Sequence, residues 1–68
     1  MSQSKGKIRE CYRTKNGAVH QSPTEFPESN LPFMIQGVDK KNADSSIPAT
    51  YWIEKYNEDT SEWEPIYP

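Results

Sequence analysis

The segment from Tyr51 to Tyr67 constrains the fold of this chain more than any other. Two runs rich in aromatic and β-branched residues flank a polar, turn-forming centre. That pattern is typical of a β-hairpin. Both tryptophans and three of the four tyrosines of the chain lie in this segment, so the hairpin carries most of the aromatic surface.

The register of this hairpin follows from a turn centred on Asp59 and Thr60. The predicted cross-strand pairs are Tyr56 with Trp63, Lys55 with Glu64, Ile53 with Ile66, and Trp52 with Tyr67. Because side chains alternate between the faces of a strand, the aromatic pairs share one face. The predicted aromatic face is Trp52, Tyr56, Trp63 and Tyr67, interrupted by Glu54 and Pro65. Ile53 and Ile66 are predicted on the other face.

Two local resemblances support the hairpin. The run from Tyr56 to Trp63 resembles the second hairpin of the immunoglobulin-binding domains of streptococcal protein G. The stretch that begins Tyr51-Trp52-Ile53-Glu54-Lys55 and continues through Trp63 is similar to a strand pair of fibronectin type III domains. Each resemblance covers less than a third of the chain and implies no function.

A second hairpin is predicted at Asn16-Gly17, because a type I′ turn needs two residues that tolerate positive φ. This turn sets Thr14 opposite Val19, Arg13 opposite His20, and Tyr12 opposite Gln21. Ile8, Tyr12 and Val19 then share one face. The other face holds Lys7, Arg9, Cys11, Arg13, Lys15 and His20.

The middle of the chain is predicted as a loop, a strand and a turn. Three prolines in Ser22–Pro32 remove backbone donors and favour a loop, from which Phe26 contacts the core. Phe33–Val38 is the most apolar run and is predicted as the central strand. Residues 39–46 favour turns, and a single helical turn over Lys40–Ala43 is an alternative there.

These elements predict an all-β fold, a small antiparallel sheet or partly open barrel of about five short strands that include two hairpins. We expect one domain over residues 7–68 and a flexible N-terminus over residues 1–6. With 68 residues, 32% of them hydrophobic, the core must be small. A curled or barrel-like sheet is favoured over a flat one, which would bury only one face.

The sequence argues against catalysis, metals and cofactors. One cysteine and one histidine cannot build a zinc site or an internal disulfide. Cys11 and His20 are the only thiol–imidazole candidates, and Arg9 and Arg13 are expected to lower the pKa of Cys11. A hairpin face offers no cleft for them, so we predict a protein that is not an enzyme.

The start of the sequence has no apolar segment of the kind found in signal peptides, and no run approaches a membrane span. We therefore expect a cytoplasmic protein with no membrane partner.

Charge is distributed unevenly along the chain. Residues 1–20 carry a net charge of +4, whereas residues 21–68 carry −6. Either the basic segment pairs with the acidic remainder of the same molecule, or the two regions serve different partners. A basic strand face could contact phosphates through Lys5, Lys7, Arg9, Arg13 and Lys15. The sequence pI of about 5.2 argues against nucleic-acid binding, which is the alternative hypothesis.

The preferred hypothesis is a small protein-interaction module, because exposed tryptophan and tyrosine are enriched where proteins bind each other. It would bind through an edge strand or through the aromatic face of Trp52, Tyr56, Trp63 and Tyr67. The alternative is that these aromatic side chains form the core. Formation of a homo-oligomer is a further open alternative. Such a profile is typical of small accessory or inhibitor proteins of phages and mobile elements.

Overall fold

Five antiparallel strands and one α-helix make up the fold, in a computed structural model that describes residues 7–68. The strands are β1 (Lys7–Thr14), β2 (Val19–Gln21), β3 (Phe26–Pro27), β4 (Ala49–Asn57) and β5 (Glu62–Tyr67). A 3₁₀ turn at Glu28–Asn30 leads into helix α1 (Leu31–Ala43). The expected flexible N-terminus, residues 1–6, lies outside the described residues, and the single-domain assignment stays a prediction.

The strands form one sheet that does not close, in the order β2-β1-β4-β5, and β3 pairs with the first residues of β1. The long pairing of β1 with β4 runs from Ile8 opposite Lys55 to Thr14 opposite Ala49. The predicted fold class, a small antiparallel sheet of about five strands with two hairpins, is confirmed.

The prediction of a central strand at Phe33–Val38 is wrong, because this run lies within α1. Pro32 stands in the first turn of the helix, where its missing N–H costs nothing. The apolar residues Leu31, Met34, Ile35 and Val38 follow the i, i+3, i+4, i+7 spacing of one helix face, and they pack at the core. Phe33 falls between them and is 74% exposed.

The core lies between α1 and one face of the sheet. Ile8 from β1, Ile53 from β4 and Val38 from α1 are completely buried there. The partly buried residues around them are Phe26, Leu31, Met34, Ile35, Tyr51 and Tyr67. The prediction that Phe26 contacts the core is confirmed. The helix supplies the second layer that the sheet needs, so the sheet can bury a face without closing into a barrel.

The first hairpin forms, but its register differs by one residue from the prediction. Tyr12 lies opposite His20 and Arg13 opposite Val19. The turn is a three-residue loop in which Gly17 alone has a positive φ of 91°, instead of a two-residue type I′ turn. The shift moves His20 to the helix-covered face, where it stacks on Tyr12 with ring centroids 5.0 Å apart. Val19 moves to the opposite face.

The second hairpin has the predicted register next to its turn and a bulge at its far end. Tyr56 lies opposite Trp63 and Lys55 opposite Glu64, as predicted. Beyond Pro65 the register shifts, so that Ile53 faces Tyr67 instead of Ile66. An extra residue in one strand reverses the alternation of side chains after it. Tyr67 therefore packs at the core, and its hydroxyl donates to Asp39 Oδ1 of α1 at 2.6 Å.

Past the end of β5, the side-chain amide of Asn42 hydrogen-bonds the backbone of β4. The last residue pair of β4 and β5 is Ile53 with Tyr67, so Tyr51 lies past the end of β5. Asn42 of α1 accepts a hydrogen bond from the Tyr51 N–H at 2.8 Å and donates one to the Tyr51 carbonyl at 3.0 Å. These two bonds satisfy both backbone groups as a neighbouring strand would, and they fasten the end of α1 to the sheet.

Candidate functional site

Within residues 7–68, no element covers the sheet face opposite α1, and we call it the open face. Its residues come from alternate positions of four strands: Lys7, Arg9, Cys11, Arg13, Val19, Gln21, Thr50, Trp52, Glu54, Tyr56, Trp63 and Pro65. The basic and the aromatic candidates of the sequence analysis therefore lie on one surface. The pairing of β1 with β4 brings them together, since it sets Arg9 opposite Glu54 and Cys11 opposite Trp52.

Glu54 organises the centre of the open face. Its Oε1 accepts hydrogen bonds from Arg9 Nε at 3.0 Å and from Arg9 Nη2 at 2.7 Å. Its Oε2 accepts one from Trp52 Nε1 at 3.0 Å. The Arg9 guanidinium lies 4.1 Å from the ring centroid of Trp63, which is the geometry of a cation–π contact. A single carboxylate thus holds Arg9 and Trp52, and Arg9 in turn contacts Trp63.

The ionisation of Glu54 follows from these contacts. Burial by itself would raise its pKa, since it disfavours the charged form. Hydrogen bonds from Trp52, Arg9 and Cys11 and the charge of Arg9 outweigh burial and hold the pKa of Glu54 below its usual value. Glu54 is therefore a carboxylate at neutral pH, and it keeps Arg9 oriented across the face.

Cys11 is completely buried although none of the described secondary-structure elements covers it. Burial, together with the hydrogen bond and the charge of Glu54, raises the pKa of its thiol to about 12 against the opposing effect of Arg9. The expectation of a lowered pKa is wrong, because burial of the thiolate outweighs the nearby cations. His20 lies on the opposite face, so the two residues do not form the thiol–imidazole pair considered from the sequence.

The aromatic candidates separate into two groups. Trp52, Tyr56 and Trp63 lie on the open face and are each partly buried. Tyr56 and Trp63 are in contact, with ring centroids 5.4 Å apart and planes inclined by 59°. Tyr67, which was predicted on the same face, lies on the other side of the sheet because of the bulge. None of the three open-face aromatics belongs to the core between helix and sheet.

The basic candidates differ in whether a carboxylate neutralises them. Lys7 pairs with Glu25 at 3.3 Å, and Arg9 pairs with Glu54. Arg13 is exposed, lies 5.7 Å from the ring centroid of Trp52, and has no ion pair with a described residue. Lys15 is exposed in the first turn and likewise has no ion pair within residues 7–68. Lys5 lies outside the described residues.

Two depressions lie at opposite ends of the sheet. One, of about 470 Å³, is next to the β4–β5 turn and is lined by Glu28, Lys55, Tyr56, Asn57, Glu58, Asp59, Glu64 and Ile66. The other, of about 220 Å³, is at the β1–β2 turn and is lined by Arg13, Thr14, Lys15, Ile47, Pro48, Ala49 and Thr50. Within residues 7–68, no three His, Cys, Asp or Glu side chains converge as metal ligands would.

Glu54 is the residue of this site that sequence reasoning missed. The sequence pattern showed Glu54 only as an interruption of the predicted aromatic face. Its partners Arg9 and Cys11 are more than 40 residues away in the sequence, so no local pattern links them to it. Its position among alternate aromatic residues was a signal, since an acidic side chain on an aromatic face needs a buried partner.

Comparisons with protein-family models, with curated proteins and with solved structures found no match. Among the described residues, no helix has the length and apolar character needed to cross a membrane.

Proposed function

We propose that this chain is a small protein-interaction module that binds its partner through the open face. The observation that carries the proposal is the fixed arrangement of Arg9, Trp52 and Trp63 around Glu54, on a sheet face that no other described element covers. Tryptophan, tyrosine and arginine are the residue types that contribute most to binding at protein interfaces.

The Glu54 contacts favour binding because they order these side chains before a partner arrives. Immobilising a rotamer-rich side chain on binding costs about 0.5–1.5 kcal/mol. Arg9 is already held by two hydrogen bonds and a ring contact, and Trp52 by one hydrogen bond. Their partly exposed surfaces can therefore contact a partner with little further loss of side-chain entropy.

Edge-strand pairing, the other binding mode considered from the sequence, has weaker support. Strand β2 offers only three residues at one edge of the sheet. Strand β5 forms the other edge, and Pro65 in its middle has no backbone N–H to donate. Asn42 occupies the backbone of β4 beyond the end of β5. Both edges are thus poor templates for an added strand.

Partner capture with matched variants tests the proposal. Tagged wild-type protein and the Trp63→Ala variant would be used to capture partners from a lysate, with Phe33→Ala as the control. Phe33 is also an exposed aromatic residue, but it lies on α1 and not on the open face. We expect Trp63→Ala to lose a stoichiometric partner that Phe33→Ala retains, while both variants keep the wild-type circular dichroism spectrum. A partner retained by Trp63→Ala, or no stoichiometric partner at all, would contradict the proposal.

Nucleic-acid binding is the second candidate, favoured by Arg13, which lies near the Trp52 ring, and by Lys15, which lines the same depression as Arg13. It has less support because Lys7 and Arg9 are already in ion pairs with Glu25 and Glu54. Five phosphate contacts would give a slope near −4 in log K against log salt, whereas two would give about −2. Absence of binding to duplex or single-stranded DNA at about 50 mM salt would remove this candidate.

A further inference from the structure

We infer that the partner of the open face is an acidic polypeptide segment, which places a carboxylate between Arg13 and Lys15 and an apolar side chain on Trp52. This inference rests on the proposed function and identifies the chemistry of the partner. We call the surface around Arg13, Lys15 and Thr50 the basic end.

The first step is the distribution of unpaired charge. At the other end of the sheet the cations are neutralised within the molecule: Lys7 by Glu25, Arg9 by Glu54 and Lys55 by Glu28. At the basic end, Arg13 and Lys15 have no carboxylate partner among the described residues. The positive charge of the open face that is available to a partner is therefore concentrated at one end.

The second step is the shape of that end. Arg13 and Lys15 line a depression of about 220 Å³ together with the hydroxyl residues Thr14 and Thr50. Ile47, Pro48 and Ala49 supply apolar surface in the same depression. Guanidinium, ammonium and hydroxyl groups are the donors that bind carboxylates, and hydrogen bonds to charged groups are stronger than neutral ones.

The third step is the position of Trp52. The Arg13 guanidinium lies 5.7 Å from its ring centroid, which is within the range of a cation–π contact. Arg13 is nonetheless exposed, and a guanidinium has five N–H donors, so it can bind a carboxylate while it lies on the ring. A ligand bound to Arg13 is thereby placed next to the partly exposed indole of Trp52.

The fourth step separates a polypeptide from a nucleic acid. A strand of DNA or RNA carries a phosphate at every nucleotide along the whole face. Beyond Arg13 it would meet Glu54, whose carboxylate is already matched by Arg9, and then the acidic β4–β5 turn with Asp59 and Glu62. Like charges placed opposite each other across an interface cost several kcal/mol. A short acidic segment flanked by uncharged residues can place its carboxylates at the basic end alone, and it avoids this repulsion.

A titration followed by NMR tests the inference on the purified full chain. The probes are acetylated hexaglutamate and acetylated hexaglutamine, added to ¹⁵N-labelled protein at about 50 mM salt. We expect hexaglutamate to shift the amides of Arg13, Lys15 and Thr50 and the indole N–H of Trp52 in a saturable way. Hexaglutamine should not shift them, and raising the salt to about 500 mM should weaken the hexaglutamate shifts, because exposed charges are then screened.

Two matched variants identify the site. Lys15→Gln removes one charge at the basic end, and Lys40→Gln removes one from an exposed position on α1. We expect hexaglutamate to bind Lys15→Gln at least tenfold more weakly than wild type, and Lys40→Gln as wild type. Equal effects of the two substitutions, equal shifts by hexaglutamine, or no shifts with hexaglutamate would overturn the inference.

Other occupants have distinct signatures in the same experiment. Tighter binding of hexathymidylate than of hexaglutamate would assign the basic end to nucleic acid. Shifts of the same amides with rising protein concentration alone, accompanied by shifts in residues 58–61, would assign it to a second copy of this chain. Either result would overturn the inference.

Failure of this inference can be told from failure of the proposed function. If the Trp63→Ala variant loses a captured partner that the Lys15→Gln variant still binds, the proposed function is supported and the inference of an acidic partner is rejected. Absence of any captured partner would remove the function itself.

Discussion

The two faces of the sheet exclude water in different ways. On the covered face, Ile8 and Ile53 are buried against Val38 of α1, and the contact is between aliphatic side chains. On the open face, Cys11 is just as completely buried, although no element of residues 7–68 covers it. The side chains of Glu54 and Arg9 contact the Cys11 thiol there and take the place of a second layer.

The difference shows how a chain with few aliphatic residues completes a fold. The covered face depends on the volume of its side chains, because apolar packing has no direction. The open face depends on directed contacts, since Arg9 and Trp52 are held by the oxygens of Glu54. Volume-reducing substitutions should therefore harm the covered face most, and charge-removing substitutions the open face.

The largest expected effect is that of Ile53→Ala on the covered face. Truncating a fully buried isoleucine costs about 2–5 kcal/mol, and a domain of this size has about 3–5 kcal/mol in total. We expect the variant to be mostly unfolded by circular dichroism. Ile66→Ala is the matched control, because Ile66 is 42% exposed in β5 and its truncation should change stability much less. Equal stability of the two variants would contradict the assigned core.

A smaller loss is expected for Glu54→Gln on the open face. The substitution keeps the shape of the side chain but removes the charge that Arg9 contacts. Hydrogen bonds to charged groups contribute about 1.5–3 kcal/mol when buried, and the partial exposure of this pair lowers that to about 1–2 kcal/mol. Urea unfolding monitored by tryptophan fluorescence measures the change. The exposed Glu62→Gln serves as control and should stay within about 0.5 kcal/mol of wild type.

Asn42→Ala should lower the free energy of unfolding by about 1 kcal/mol, because it removes two hydrogen bonds to the exposed backbone of Tyr51. The amide of Tyr51 should exchange with solvent faster than in wild type, which hydrogen exchange detects. Asn42→Asp keeps an acceptor for the Tyr51 N–H and should protect that amide better than Asn42→Ala does. Unchanged exchange in Asn42→Ala would show that the Asn42 bonds do not hold this end of the sheet.

The smallest loss of stability is expected when the pH is lowered and Glu54 is protonated. The pKa of Glu54 is lower in the folded chain than its unperturbed value of 4.5, so its contribution to stability is complete above that value. The contribution is lost as the pH falls through the lower, folded pKa. At pH 3 this contribution is lost only in part, because the pKa of Glu54 in the folded chain lies below its unperturbed value, so the loss is small. Stability measured between pH 7 and pH 3 should fall less in Glu54→Gln than in wild type, and parallel curves would contradict the Glu54 assignment.

The acid test has an internal reference. The pKa of Asp44 is also lowered, by hydrogen bonds from the Ser46 hydroxyl and N–H. Asp44 titrates in wild type and in Glu54→Gln alike. The difference between the two curves therefore reports Glu54 alone.

The sequence by itself determined the two hairpins, because their signals are local. Alternating aromatic and β-branched residues and the glycine at position 17 fixed the strands on either side of each turn. The pairs Tyr56 with Trp63 and Lys55 with Glu64 followed from the turn between them. The basic residues of β1 were placed on one face by period-two alternation alone.

For the apolar run before Val38 and for Pro65, the sequence was compatible with two different local structures. Leu31, Met34, Ile35 and Val38 have helical spacing, but a short apolar run bounded by proline also suits a strand. Pro65 is compatible with an edge strand or with a bulge, and only the second moves Tyr67 to the helix side. The choice depends on what the segment packs against, which is a tertiary property.

Only the tertiary structure decided that the open face is one surface. The contacts of Arg9 with Glu54 and of Arg13 with Trp52 join residues about 40 positions apart, through the pairing of β1 with β4. Local pattern sets the face on which a side chain lies within its own hairpin, but it does not specify which hairpin lies alongside. That choice is made when Ile8 and Ile53 are buried together under Val38, because only this pairing of strands excludes water from all three.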